Sequence, residues 1–217
     1  MNKKTLFISF IVVLLGAFFI AATYYQNQIS TNQTRFSDAE LEKLVRVGAP
    51  MKGNENAKVT IVEFLDPACE TCAVFFPFVN KVMAKYPDQL RLVVRYAPLH
   101  KGSDKVVRLL ESAHLQGQFW PALELLFAKQ RQWTQHHVAQ PQIAKELLAS
   151  LPLDQKKLAQ DAFGQKVTQA LNSDLADGKT FEVRATPEFL VNGRKMQTFG
   201  YEQLLQLIEE EIAKHYH

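Results

Sequence analysis

Val62-Glu63-Phe64-Leu65-Asp66-Pro67-Ala68-Cys69-Glu70-Thr71-Cys72 decides how the rest of the chain is read. Cys69 and Cys72 are the only cysteines among 217 residues. They follow the run Lys58–Leu65, dense in Val, Ile, Thr and Phe, which reads as a buried strand. They precede a pattern in which Phe75, Phe78, Val79, Val82, Met83 and Tyr86 fall at helical spacing. A strand that delivers C-x-x-C to the mouth of a helix suits thiol redox chemistry. The helix N-terminus carries partial positive charge and unpaired N–H groups, and both stabilise a thiolate. The thiolate is the reactive form of the group. Cys69, at the mouth, is placed to attack; Cys72, one turn inside, is placed to resolve a mixed disulfide.

Other readings of the pair compete. A zinc site needs four ligands, normally a second C-x-x-C or a histidine pair at ligand spacing. His136-His137 and the tail pair His215 and His217 offer no such pattern. A purely structural disulfide across so short a loop would constrain the unfolded chain little. Glu63 also needs a reason, because a buried carboxylate is costly. Either it faces solvent, or it serves as a proton acceptor near Cys72.

Asn2-Lys3-Lys4 precedes Leu6–Ala22, which is apolar apart from Ser9 and Gly16. This run is longer than the usual signal-peptide core of about 7–15 residues. Extended over residues 5–25 it would make about 31 Å of helix. Tyr24-Tyr25 would then lie at the far interface. Ala21-Ala22 is the nearest approach to a cleavage site, so residues 1–25 read as a signal anchor or a signal peptide. The lysines keep the N-terminus cytoplasmic and the remainder is expected outside. Export would place the cysteines where disulfides persist.

The formal net charge is +3. Without residues 1–25, which hold Lys3 and Lys4 and no acid, it is +1. No nucleic-acid partner is implied, and no cofactor or metal. Residues 26–47 read as a polar spacer and a short helix, with Ser37 three residues before Glu40 as its start. Gly48-Ala49-Pro50 ends that helix, and Gly53-Asn54-Glu55-Asn56 forms a turn.

Pro77 is expected to kink the helix after the cysteines. Leu90–Tyr96 is a second strand. Residues 101–180 are mostly helical: Ser103-Asp104 as a cap, Trp120-Pro121 opening another helix, and helices at Gln142–Leu151, Asp154–Phe163 and Gln165–Asp177. Residues 131–141 lack periodicity and read as a loop. Trp120 and Trp133 are expected to pack in the core; His100, after the second strand, either approaches the active site or is a solvated loop histidine, and His136-His137 reads as a polar loop. Thr186-Pro187 then precedes Glu188–Val191, Asn192-Gly193 and Arg194–Phe199, a hairpin signal. Leu204, Leu205, Ile208 and Ile212 form one face of a terminal helix.

The Val-Glu-Phe-Leu-Asp-Pro-Ala-Cys-Glu-Thr-Cys stretch, followed more than a hundred residues later by Arg184-Ala-Thr-Pro-Glu-Phe-Leu-Val-Asn-Gly193, resembles the DsbA-like thiol:disulfide oxidoreductases. The resemblance spans about residues 48–214. It implies an α/β, thioredoxin-like fold with a large helical insertion, preceded here by an N-terminal membrane-anchor helix. Residues 48–100 and 181–217 would form the thioredoxin-like domain, with 101–180 inserted. Position by position it implies Cys69 as nucleophile, Cys72 as resolving thiol, and Pro187 as a cis-proline facing the disulfide. Thr186 would offer backbone hydrogen bonds to a bound peptide, Glu63 would be the buried acid, and Pro77 the kink of the active-site helix. Glu188, beside the proline, either shapes the substrate groove or is simply exposed. The Glu70-Thr71 dipeptide departs from the family's best-known pairs, Pro-His and Gly-Pro. A negative Glu70 beside the sulfur should raise the Cys69 pKa against the helix dipole and make the protein a milder oxidant.

The function expected is that of an exported thiol:disulfide oxidoreductase, oxidase or isomerase. Its partners would be cysteine-containing exported proteins and a membrane redox partner that recharges the dithiol. The chain would act as a monomer at the membrane. A periplasmic copper-handling or chaperone-like protein, using the two thiolates as soft ligands, is the alternative; a structural disulfide is the inert third reading.

Overall fold

The computed structural model describes residues 7, 12–23, 36 and 38–216. The chain divides into an N-terminal unit ending at Arg35 and a second unit, Phe36–His217. In the first, residues 12–23 are helical (α1), with Phe18, Phe19 and Ile20 exposed. Among the described residues, no helix is long and apolar enough to cross a membrane. Lys3, Lys4, Tyr24, Tyr25 and Ser37, the expected start of the short helix, lie outside the described residues.

The second unit opens with α2 (Asp38–Leu44) and β1 (Met51–Gly53). β2 (Val59–Leu65), α3 (Glu70–Lys85) and β3 (Leu90–Tyr96) follow. β2 is buried at all seven positions, as its run of branched and aromatic residues requires. It pairs in parallel with β3, Val59 opposite Leu90 through Leu65 opposite Tyr96. A helical block comes next: α4 (Ser103–His114), α5 (Phe119–Ala128), α6 (Gln130–Trp133), α7 (Pro141–Leu148), α8 (Gln155–Asp161) and α9 (Gln165–Thr180), with the small hairpin β4 (Thr134–Gln135) and β5 (Val138–Ala139) between α6 and α7. β6 (Glu188–Val191), β7 (Arg194–Lys195) and α10 (Tyr201–Tyr216) close the chain.

The sheet order is β1-β3-β2-β6-β7, with β1, β6 and β7 antiparallel to their neighbours. Alternation sends Val59 and Ile61 to one face, with Leu90, Leu92, Phe189 and Val191, where Phe75, Val79 and Val82 of α3 and Leu204, Ile208 and Ile212 of α10 cover them. Val62, Phe64, Val93 and Leu190 point to the other face, under Leu44 and Phe181. The helical block builds its own core around Leu110, Leu123, Leu126 and Trp133, and Cys69 and Cys72 join it. This is the thioredoxin-like α/β arrangement with helical content inserted between β3 and β6.

The turn Asn192-Gly193 sits in the left-handed region, φ 47° and 77°. At φ 77° Gly193 has a backbone conformation that side-chain-bearing residues rarely adopt, and this is what calls for glycine; the Leu41 side-chain end packed against it could turn aside. Several local expectations fail. The turn expected at residues 53–56 forms, closed by the Ala57 N–H on the Asn54 carbonyl at 3.0 Å, but a strand that was not expected, β1, runs up to Gly53 because an antiparallel edge is available beside β3. Residues 131–141 are not a loop. They carry part of α6 and a hairpin whose turn, His136-His137, takes positive φ at both positions. β7 ends at Lys195 rather than running to Phe199. Ser103 does not cap α4; Gly102 holds the N-cap position with no side-chain bond, because the Ser103 hydroxyl is turned elsewhere.

Candidate active site

Cys69 is the N-cap of α3. Its backbone is extended (φ −77°, ψ 120°), and its sulfur takes the role that a Ser or Asp oxygen takes in ordinary caps, accepting from the Cys72 N–H at 3.4 Å. Cys69 keeps 5% of its surface open and Cys72 none, so only the first sulfur is within a partner's reach. Both are free thiols here. As a thiol, Cys69 donates to the Thr186 carbonyl oxygen at 3.2 Å. That contact brings the loop before β6 onto the cysteine, with the Thr186–Pro187 bond in the cis form and Pro187 buried.

As a thiolate, Cys69 is held by the Cys72 thiol first, then by Thr186 and the N–H groups of Cys72 and Thr71. These outweigh burial and lower its pKa to about 5. Glu70 is exposed and is not among the leading causes of this value, so the rise expected from its charge is overridden by the donors that touch the sulfur. An exposed carboxylate is screened by water, whereas the N–H and S–H donors touch the sulfur. Cys72 moves the other way. Burial pushes its thiol well above the ordinary range, and the Cys69 and Glu63 charges add to that.

Glu63 lies on β2 opposite Val94 and Phe189, 3% exposed, on the sheet face that α3 covers. The solvent-facing reading is therefore wrong. Burial, then the nearby Cys69 charge, pushes its pKa up to about 8. Two carboxyl-and-thiol neighbours, Glu63 and Cys72, are thus both biased toward their protonated forms. Pro77 sits inside an α3 that runs unbroken from Glu70 to Lys85, on its exposed side. Glu188 is half-buried and paired with Lys195 at 3.1 Å.

Three further residues shape the loop 66–69, and the sequence reading singled out only one of them as conspicuous. Asp66 is fully buried and accepts from the Ala68 N–H at 2.8 Å, from the N–H groups of Leu99 and His100, and from the Ser103 hydroxyl. His100 Nδ1 lies 2.7 Å from Asp66 Oδ2. His100 is therefore not a solvated loop residue; it braces the loop beside the cysteines, and its ring stacks on that of His137. From the helical block, Gln130 of α6 donates to the carbonyls of Pro67 and Cys69 at 2.9 and 3.0 Å. Asp-Pro at a strand end was the available signal for Asp66. Gln130, in an aperiodic stretch, gave none. Trp133 is fully buried with its Nε1–H on the Leu126 carbonyl, and Trp120 is half-buried, as core packing requires.

An N-capping dithiol on a thioredoxin-like sheet, faced by a cis X-Pro bond, defines a class of thiol-exchange folds. The thioredoxin family model matches residues 46–210, and the chain belongs to that family. It is 26% identical over 172 residues to disulfide bond formation protein D of Bacillus subtilis, covering 76% of this chain and 78% of that protein. The crystal structure of oxidised BdbD from Bacillus subtilis superposes with a TM-score of 0.68 at 26% identity, over 77% of this chain and 94% of that one. The DsbA-like resemblance thus holds in sequence and in fold. The chain is also 32% identical over 147 residues to a Na(+)/H(+) antiporter NhaA of Herminiimonas arsenicoxydans. That match takes in 68% of this chain, which spans only 23% of the antiporter's length.

Proposed function

We propose that this protein is an exported thiol:disulfide oxidoreductase that exchanges the Cys69–Cys72 disulfide with cysteine-containing exported proteins, as oxidase or isomerase. The observation that carries the reading is the split between the sulfurs: a reachable Cys69 with a pKa of about 5 and a sealed Cys72 pushed well above the ordinary range. In the oxidised protein, a substrate thiolate attacks Cys69 Sγ. The Cys69–Cys72 bond breaks, and Cys72 leaves with the electron pair and takes a proton, with Glu63 as the nearby donor. A second substrate thiolate then attacks the substrate sulfur of the mixed disulfide and expels Cys69 as a stable thiolate. The substrate loses two electrons and the dithiol gains them. Thr186, before Pro187, offers backbone groups to the bound peptide.

The same reading assigns residues 48–100 and 181–217 to the catalytic body, 101–180 to an inserted domain, and 26–47 to a spacer. Residues 5–25 would tether a periplasmic monomer to the inner membrane, or be cleaved after export, and a membrane redox partner would recharge the dithiol. The names of the Bacillus relative support the chemistry; the lysine-flanked apolar N-terminus supports export.

Scrambled-RNase refolding and insulin reduction by residues 26–217 test the chemistry, with Cys69→Ser expected to abolish both. Full activity in Cys69→Ser would leave only the structural-disulfide reading. The copper-handling alternative would rest on the two thiolates alone as soft ligands; among the described residues no group of three or more His, Cys, Asp or Glu adds to them. Stoichiometric Cu(I) binding without dithiol exchange would reverse the choice.

A further inference from the structure

We infer that Gln130 is a positioning residue for Cys69: its carboxamide fixes the peptide on which the reactive sulfur is mounted and thereby sets how readily that sulfur ionises. The inference deepens the oxidoreductase reading and rests on it. Residues 66–69 form a buried loop, and every buried backbone polar group needs a partner. Within the loop, Cys69 N–H donates to Asp66 O at 3.0 Å and Ala68 N–H to the Asp66 carboxylate. The carbonyls of Pro67 and Cys69 point to the helical block, and the Nε2 group of Gln130 meets both. The Cys69 carbonyl also accepts the first helical bond of α3, from Ala73 N–H at 3.2 Å. Gln130 therefore holds the residue at which strand becomes helix and whose sulfur caps that helix.

Gln130 is itself anchored. It is 6% exposed, and its backbone carbonyl accepts from the Thr134 hydroxyl at 2.8 Å, at the root of the β4–β5 hairpin. It does not touch the sulfur. Its effect runs through the peptide: with two N–H groups on two carbonyls, the negative ends of those dipoles are offset, and the cap torsions stay where Cys69 Sγ meets the N–H of Cys72 and the Thr186 loop. Without the carboxamide, the Pro67 carbonyl oxygen loses this donor and the Cys69 carbonyl keeps only the helical bond from Ala73, so the cap relaxes. Both changes disfavour the charged form.

Gln130→Met keeps the length and bulk of the side chain and removes both donors. In the reduced protein, titration of thiolate absorbance should show the Cys69 midpoint higher by about half a pH unit or more. The equilibrium with glutathione should shift by about threefold or more toward oxidised protein. A lower melting temperature with an unmoved midpoint would mean that Gln130 only packs, and would overturn the inference. If Gln130→Met does not fold, the wild-type protein still decides. The Gln130 side-chain amide protons should exchange slowly and change frequency between the reduced and oxidised states; fast exchange or an unchanged frequency overturns it. Loss of disulfide exchange in the unmodified protein would defeat the functional reading alone, because the titration reads ionisation and not turnover.

Discussion

Of the buried polar clusters in the second unit, two treat charge in opposite ways. In one, Arg95 and Asp174, both fully buried, pair at 2.7 Å; Arg46 joins Asp174 at 2.8 Å, and Glu111 takes the Tyr96 hydroxyl at 2.8 Å. Arg95 also bonds Asp177 and the Lys43 and Leu44 carbonyls, tying the C-terminal end of α2 to β3 and α9. In the other cluster Glu63 stands with two thiols, and among the described residues no basic side chain pairs with it. The first cluster spends its charges on each other and holds elements together. The second leaves an acid and a thiol without compensating cations, and their proton affinities move toward values useful for transfer.

The sharpest way to break this contrast is to open the paired cluster. Asp174→Ala leaves Arg95 buried with one partner fewer and should cost about 3–5 kcal/mol in denaturant unfolding. The Cys69 titration in the folded fraction should not move. A cost below about 1 kcal/mol would mean that the ion pairs merely break even with solvation.

The unpaired cluster should respond with the opposite sign. The pKa of Glu63 is raised from 4.5 to about 8 in the folded state. Its contribution to stability is therefore full below about pH 4.5 and is lost as pH rises through about 8. Glu63→Gln removes that loss, so the variant should be more stable than the parent by about 3 kcal/mol at pH 7 and by little at pH 4. It should also slow resolution of the mixed disulfide about tenfold or more, since Cys72 loses its proton carrier. Cys69 has the reverse linkage: its folded pKa is depressed from 9.0 to about 5. Its contribution is present above about pH 9 and lost as pH falls through about 5. Only the reduced protein has it, so the melting temperature of reduced minus oxidised protein should climb from pH 5 toward pH 9. A difference that is flat with pH would remove the thiolate from the account.

Ser103→Ala tests the Asp66 loop beside the cysteines. It withdraws one of the donors that keep Asp66 satisfied, and should cost about 1–2 kcal/mol. A neutral result would show that the remaining four contacts suffice.

The strand, the cysteine-capped helix and the Thr-Pro hairpin were legible because each rests on local chemistry: branched residues for β2, helical spacing for α3, Asn-Gly for a left-handed turn. The cysteine pair stood out with them, whereas the cis form of Pro187 and the role of Thr186 came only through the resemblance to the DsbA-like family. Gln130 and the bracing roles of Asp66 and His100 did not, because their partners lie 34 to 63 residues away and no periodicity marks them. Ser103 shows the same limit from the other side. Its position before Asp104 suits a cap, yet a buried carboxylate across the fold competes for the hydroxyl and wins. β1 is three residues long and exists only because β3 offers an edge.

The smallest effect bears on the dipeptide between the cysteines. Adjacent in sequence, Glu70 looks like the strongest influence on the sulfur, yet its side chain is exposed, in the first turn of α3. There its charge interacts across water, where a pair at about 4 Å is worth only about 1 kcal/mol and salt weakens it further. The donors that touch Cys69 are buried and unscreened. Glu70→Gln should therefore lower the Cys69 midpoint by about 0.3 pH unit or less, and the change should fade between low and high salt. A drop of a full unit that persists in high salt would mean that the exposed carboxylate, and not the buried donors, governs the thiolate, and the line drawn between a screened surface and an unscreened site would have to be moved.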